Sequence, residues 1–271
     1  MRLVDGRVSD AVSADDRGLG YGDGLFETIR FVDGRAPLWE RHMQRLRLAC
    51  PRLRLPVPDM RQLQHEAAMV TTGMAHAVVR ITLTRGVGER GYAMPARPRP
   101  TRIVAAFPMP AIDSGLYDRG VRLHLCDTRL AEQPALAGLK HLNRLEQVLA
   151  RAEWGDPAIH EGLLRDSGDR VISAVSANLF AVIDGIPVTP SLDRCGVAGV
   201  ARAEVLDALP HAQVRDMSLD DCRCATEMFL CSSVRGILPV QAVGANVYRP
   251  GPVARAMQAH WVDLGFPLEQ A

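Results

Sequence analysis

Apolar and polar positions along this 271-residue chain follow two rhythms. An every-other-residue alternation rich in β-branched and aromatic side chains recurs around Asp-Gly pairs. RLVDGRV (2–8), ETIRFVDGRAPLW (27–39) and NLFAVIDGIPVTP (178–190) each predict a hairpin, because Asp and Gly accept the left-handed backbone of a tight turn. A three-to-four-residue spacing instead marks LWERHMQRLRLAC (38–50) and the segment around 59–73 as helices. HAVVRITLTRG and TRIVAAFPMP then read as strands, so residues 1–110 predict an N-terminal α+β domain. The proline-spaced PMPAIDSGLYDRG (108–120) predicts a connection, taken as a linker over 111–120.

The second domain, 121–271, opens on strand-like VRLHLCD. Asn143 and Glu146 have the spacing of a capping box, predicting a helix from there to about Trp154. EGLLRD, a helix over about 199–209, strands at about 226–231 and 237–243 and a helix from about 252 to 264 complete the pattern. The fold class is therefore α/β (α+β) in two domains.

Composition narrows the function classes. An apolar fraction of 47% and a formal charge of +1 give no sign of a nucleic-acid or anionic-membrane partner. The start MRLVDGRVSD lacks the apolar core of a signal peptide and no run of eighteen apolar residues occurs, so a cytoplasmic location is expected. The six cysteines are expected to be reduced, and no His or Cys spacing matches a metal site. One basic residue stands apart: of 32 Lys plus Arg, only Lys140, in GLKHLNRLEQ, is a lysine. An arginine cannot deprotonate, whereas a desolvated ammonium becomes a nucleophilic amine.

Four further stretches carry candidate chemistry. DRCGVAGVARAEVLDAL (193–209) places glycines before a helix, whose outward amides suit a phosphate, as does the fork of Arg45. Ser232 and Ser233, closing the strand EMFLCSS, offer hydroxyls to the same group. DRGLGYGDGLFETIR (16–30) reads as a Gly-rich loop before a strand, and Arg85, Arg90 and Tyr92 in TRGVGERGY as a cationic, aromatic loop suited to an anionic ring. No mononucleotide or dinucleotide phosphate motif is present.

Together DRGLGYGDGLFETIR, HMQRL, TRGVGERGY, GLKHLNRLEQVLAR, SANLF and CGVAGVAR resemble the successive motifs of the class IV pyridoxal-phosphate family. That family contains branched-chain and D-amino-acid aminotransferases and 4-amino-4-deoxychorismate lyases. KHLNRLEQV and RGxGxRGY are most similar to the lyases. The resemblance implies a homodimer of two-domain subunits with pyridoxal 5'-phosphate at the domain interface and Lys140 as its covalent lysine. It implies Arg45, Val197, Ala198 and Ser232 or Ser233 as phosphate contacts, Asn178 as a cofactor-side residue, and Thr28, Arg30, Arg90 and Tyr92 around a dicarboxylate substrate. Five residues before Asn178 the family has a glutamate facing the pyridine nitrogen, and this chain has Ser173. The activity implied is elimination of pyruvate to leave 4-aminobenzoate. The alternatives are amino-acid transamination and a homologue impaired by the serine.

Overall fold

The computed structural model describes residues 1–267, and the chain divides into two compact units. The first comprises Met1–Pro110 together with Leu139–Asn143, and the second Ala111–Gly138 with Arg144 onward. The lysine-bearing segment, expected in the C-terminal domain, therefore packs with the N-terminal unit.

In the first unit, β1 (Arg2–Val4), β2 (Arg7–Val8), α1 (Arg17–Tyr21), β3 (Gly24–Val32), α2 (Trp39–Arg52), α3 (Met60–Thr71), β4 (His76–Thr84) and β5 (Arg102–Pro108) follow in order. The strands form an antiparallel sheet ordered β2-β1-β5-β4-β3. Trp39, His42, Met43, Leu46, Ala49 and Cys50 are the buried positions of α2, the stripe that a 3.6-residue period aims at a sheet. Asp5 and Gly6 have φ of 49° and 80°, as the first hairpin requires. The second Asp-Gly pair, Asp33-Gly34, turns in the same way but leads only to an isolated Val32–Arg35 bridge, so the expected hairpin over 27–39 is a strand, a turn and a helix start.

The second unit contains α4 (Gly115–Arg119), β6 (Val121–Leu130), α5 (Leu145–Arg151), β7 (Glu161–Asp166), β8 (Val171–Ala174), β9 (Asn178–Ile183), β10 (Ile186–Pro190), α6 (Val200–Ala208), β11 (Gln213–Arg215), α7 (Leu219–Cys224), β12 (Glu227–Ser232), β13 (Gly236–Val243), β14 (Asn246–Val247) and α8 (Pro252–Asp263). Its mixed sheet runs β11-β10-β9-β12-β13-β6-β7-β8, with β14 beside β13. Leu123, Leu163, Leu179, Leu230 and Leu238 belong to the core on one sheet face. Cys126, Leu164, Ala150 and Trp154 belong to a smaller core on the other. Helix α5 lacks the expected capping box. Asn143 Nδ2 donates to the Gly22 carbonyl, Glu146 Oε1 accepts from the Ala131 amide, and the helix stops at Arg151.

Candidate active site

The lysine segment lies against β3. The Phe26 amide donates to the Lys140 carbonyl at 3.0 Å and the Leu142 amide to the Gly24 carbonyl at 3.0 Å, an isolated antiparallel bridge that sets His141 opposite Leu25. Gly24 is small by necessity here, since a Cβ would lie 2.4 Å from the Leu83 carbonyl oxygen and 2.9 Å from Leu142. Lys140 Nζ sits over the Phe26 ring, 4.2 Å from its centre. Alternation along β3 places Thr28 and the buried Arg30 on the Phe26 face, the side that Lys140 also faces.

Glu27 points the other way, toward α2. Its carboxylate receives Arg45 Nε at 2.8 Å and Nη2 at 2.5 Å, and lies 2.6 Å from His42 Nδ1. Burial alone would raise the Glu27 pKa, but the Arg45 charge and the bonds from His42 and Arg45 hold it down to about 2. Burial holds His42 below its ordinary range, with Arg45 and Lys140 adding to the effect against the pull of Glu27. Arg45 is thus locked as a fork by a carboxylate that sequence spacing did not single out.

The loops resolve differently from expectation. The Gly-rich stretch forms α1, capped by Asp16, whose carboxylate accepts the Gly18 amide at 2.7 Å and the hydroxyls of Thr84 and Thr101. Arg85 is not a substrate-facing cation. It is 2% exposed, pairs bidentately with Asp23 and donates to the Leu53 and Arg54 carbonyls. Arg90 and Tyr92 are exposed, and the Tyr92 ring lies 5.7 Å from that of Tyr21.

In the second unit, strand register sorts the predicted residues. Asn178 opposes Cys231 and Ser173 opposes Leu164, and tracing the ladders across the sheet puts Ser173 and Asn178 on one face. Ser232 alternates with Cys231 and faces the opposite side, where it lines a cleft with Glu161, Ser176 and Arg235 and accepts the Arg235 amide at 3.1 Å. Of the two expected hydroxyl donors only Ser233 therefore stays a candidate. Asn178 Nδ2 donates to the Val197 carbonyl at 2.9 Å, and a Cβ on Gly199 would lie 2.0 Å from Asn178 Oδ1. This close approach fixes the start of α6. The Ala198 amide donates to the Gly138 carbonyl at 3.0 Å, so it is engaged within the chain rather than offered as expected. The first turn of α6 carries no acidic side chain, which leaves the positive end of the helix suited to an anion.

The first unit thus carries the chain's sole lysine on an aromatic face, and the second carries a glycine-cleared helix start suited to an anion. Residues 24–243 match the amino-transferase class IV family, and the chain belongs to it. Within that family it is 37% identical to the aminodeoxychorismate lyase of Vibrio harveyi, covering 90% of this chain and 92% of that one. It superposes on the crystal structure of 4-amino-4-deoxychorismate lyase from Pseudomonas aeruginosa with a TM-score of 0.92, at 46% identity over 97% and 98% of the two chains. The Escherichia coli branched-chain amino acid aminotransferase shares the fold with a TM-score of 0.85, at 23% identity over 97% and 93%.

Proposed function

We propose that this protein is a pyridoxal-phosphate-dependent 4-amino-4-deoxychorismate lyase that releases pyruvate and 4-aminobenzoate. The observation that carries the reading is Lys140: the chain's sole side-chain amine, in a motif of the lyase type, held by backbone bonds against β3 over an aromatic ring. Bound cofactor supplies an electron sink for the bond-breaking step. The chain's own residues do the rest.

Lys140 would hold the cofactor, and its amine, once freed, would remove the proton from ring carbon C4 and deliver a proton as the enolpyruvyl C–O bond breaks. Arg45, oriented by Glu27, Val197 in the loop leading into α6 and Ser233 anchor the phosphate, with Asn178 bracing the backbone there. Ser173 would offer its hydroxyl to the pyridine nitrogen. Arg30 and Arg90 receive the substrate carboxylates, with Thr28 and Tyr92 lining the ring. A second copy of the chain covers the exposed Leu145, Val148 and Leu149 of α5, giving a homodimer. The location is the cytoplasm, a reading supported by the six unpaired cysteines, five of them buried. Among the described residues no helix is long and apolar enough to cross a membrane. Borohydride reduction of the cofactor-loaded protein followed by peptide mapping should mark Lys140. A label on no residue, in protein supplied with excess cofactor, contradicts the reading.

A further inference from the structure

Outside these residues, one cluster combines the donor types of a thiophilic metal site. His124 and Cys126 stand two apart on β6 and so project from the same sheet face, and Glu153 follows the end of α5 and reaches the same place. His Nε2 or Nδ1, Cys Sγ and a Glu carboxylate oxygen all lie within 4.8 Å of one another. Tetrahedral bonds of 2.0–2.3 Å set ligand atoms about 3.3–3.8 Å apart, so the three donors need only small side-chain rotations to close on an ion. His124 Nε2 and Glu153 Oε2, at 3.1 Å, lie slightly closer than that and need only part to admit an ion.

The surroundings hold the donors in place. Glu153 is fixed by the Asp127 amide at 2.7 Å and the Thr128 amide at 2.8 Å, which orient its carboxylate without consuming every lone pair. Gly162 on β7 makes room for the thiol, since a Cβ there would lie 2.5 Å from Cys126 Sγ and 2.8 Å from the Trp154 ring. The thiol is fully buried, whereas the His124 side chain is 33% exposed and that of Glu153 19%. The cluster is thus closed on the protein side and open to solvent on the other, which leaves a coordination position for water.

We propose that His124, Cys126 and Glu153 form a Zn²⁺ site with a water as fourth ligand. One thiolate, one imidazole and one carboxylate suit a borderline-soft divalent ion better than Mg²⁺ or Ca²⁺, which take oxygen ligands. Binding exchanges the thiol proton for the ion and moves the imidazole proton to Nδ1, leaving Nε2 to coordinate. The ion would pin the chain just beyond α5 to β6, in addition to the packing of Ala150 and Trp154 on that face. Sequence spacing missed the site because the His-x-Cys pair lies on a strand and its third ligand is distant in sequence.

The test is Zn²⁺ titration of the cofactor-loaded full chain against a chromophoric chelator, repeated with Co²⁺ as a spectroscopic probe. Wild type should bind one equivalent per chain, and Co²⁺ should give the intense visible bands of a tetrahedral site with a thiolate ligand. Cys126→Ser should abolish the thiolate band. His124→Asn, a change at a partly exposed side chain that spares the core, should weaken Zn²⁺ binding by at least about 100-fold, the upper range for losing even an outer partner. Zn²⁺ should also raise the melting temperature of wild type but not of His124→Asn. Failure to bind one equivalent, or binding that survives either substitution undiminished, overturns the proposal.

Discussion

Ser173 is 8% exposed on β8 and shares a sheet face with Asn178, the position where the family resemblance puts the partner of the pyridine nitrogen. A glutamate there keeps that nitrogen protonated, while a hydroxyl bonds it without supplying a full charge. Elimination that ends in an aromatic product tolerates the weaker electron sink better than transamination does. Ser173→Glu is therefore expected to raise half-transamination with amino acids while changing lyase turnover by less than about tenfold, roughly 1.4 kcal/mol of barrier. Single-turnover spectra and product assays on both proteins measure this, and a variant that gains lyase activity absent from wild type contradicts it. Lys140 was legible because no other lysine competes with it. Ser232 was not excluded, because which of two adjacent residues faces a site depends on register with β9 and β13. The burial of Arg85 was not legible, because its acceptors, Asp23 and the Leu53 and Arg54 carbonyls, are far away in sequence.

Between elements, the buried group of Glu27, His42 and Arg45 fastens α2 to β3 beside the lysine segment. Its pH dependence has a definite sign. Glu27 falls from an ordinary 4.5 to about 2 in the folded chain, so its contribution is fully present above pH 4.5 and is lost as pH falls toward 2. His42, held below its ordinary 6.5, acts in the same direction from just under that pH. The Glu27 shift corresponds to about 3 kcal/mol of stability. Denaturant midpoints should therefore decline below about pH 6.5 and more steeply below pH 4.5. Glu27→Gln should be less stable than wild type at neutral pH and lose less on acidification. An equally steep acid decline in both proteins would show that the stability resides elsewhere. The helices of this region were legible from periodicity, since α2 and α3 carry clear apolar stripes. The capping box was not borne out, because tertiary acceptors and donors at Gly22 and Ala131 outcompete the local pairing.

Over the whole molecule, the two-sheet α/β organisation followed from the strand and helix rhythms, but the return of Leu139–Asn143 to the first unit did not. A five-residue segment held by one isolated bridge has no pattern of its own, and only its bonds to Gly24 and Phe26 reveal it. The apolar stripe of α5 argues for assembly: Leu145, Val148 and Leu149, at i, i+3 and i+4, are 76%, 61% and 61% exposed. Light scattering should give twice the chain mass, and Leu149→Asp should shift the population toward single chains. A wild-type protein that runs as a single chain at working concentrations contradicts the dimer. The lyase reading itself is tested most directly by following products from 4-amino-4-deoxychorismate in parallel with transamination of D-alanine and branched-chain amino acids. Equimolar pyruvate and 4-aminobenzoate, formed faster than any keto acid from the amino acids and abolished in Lys140→Ala, is the expected result; vigorous transamination with no 4-aminobenzoate would contradict it.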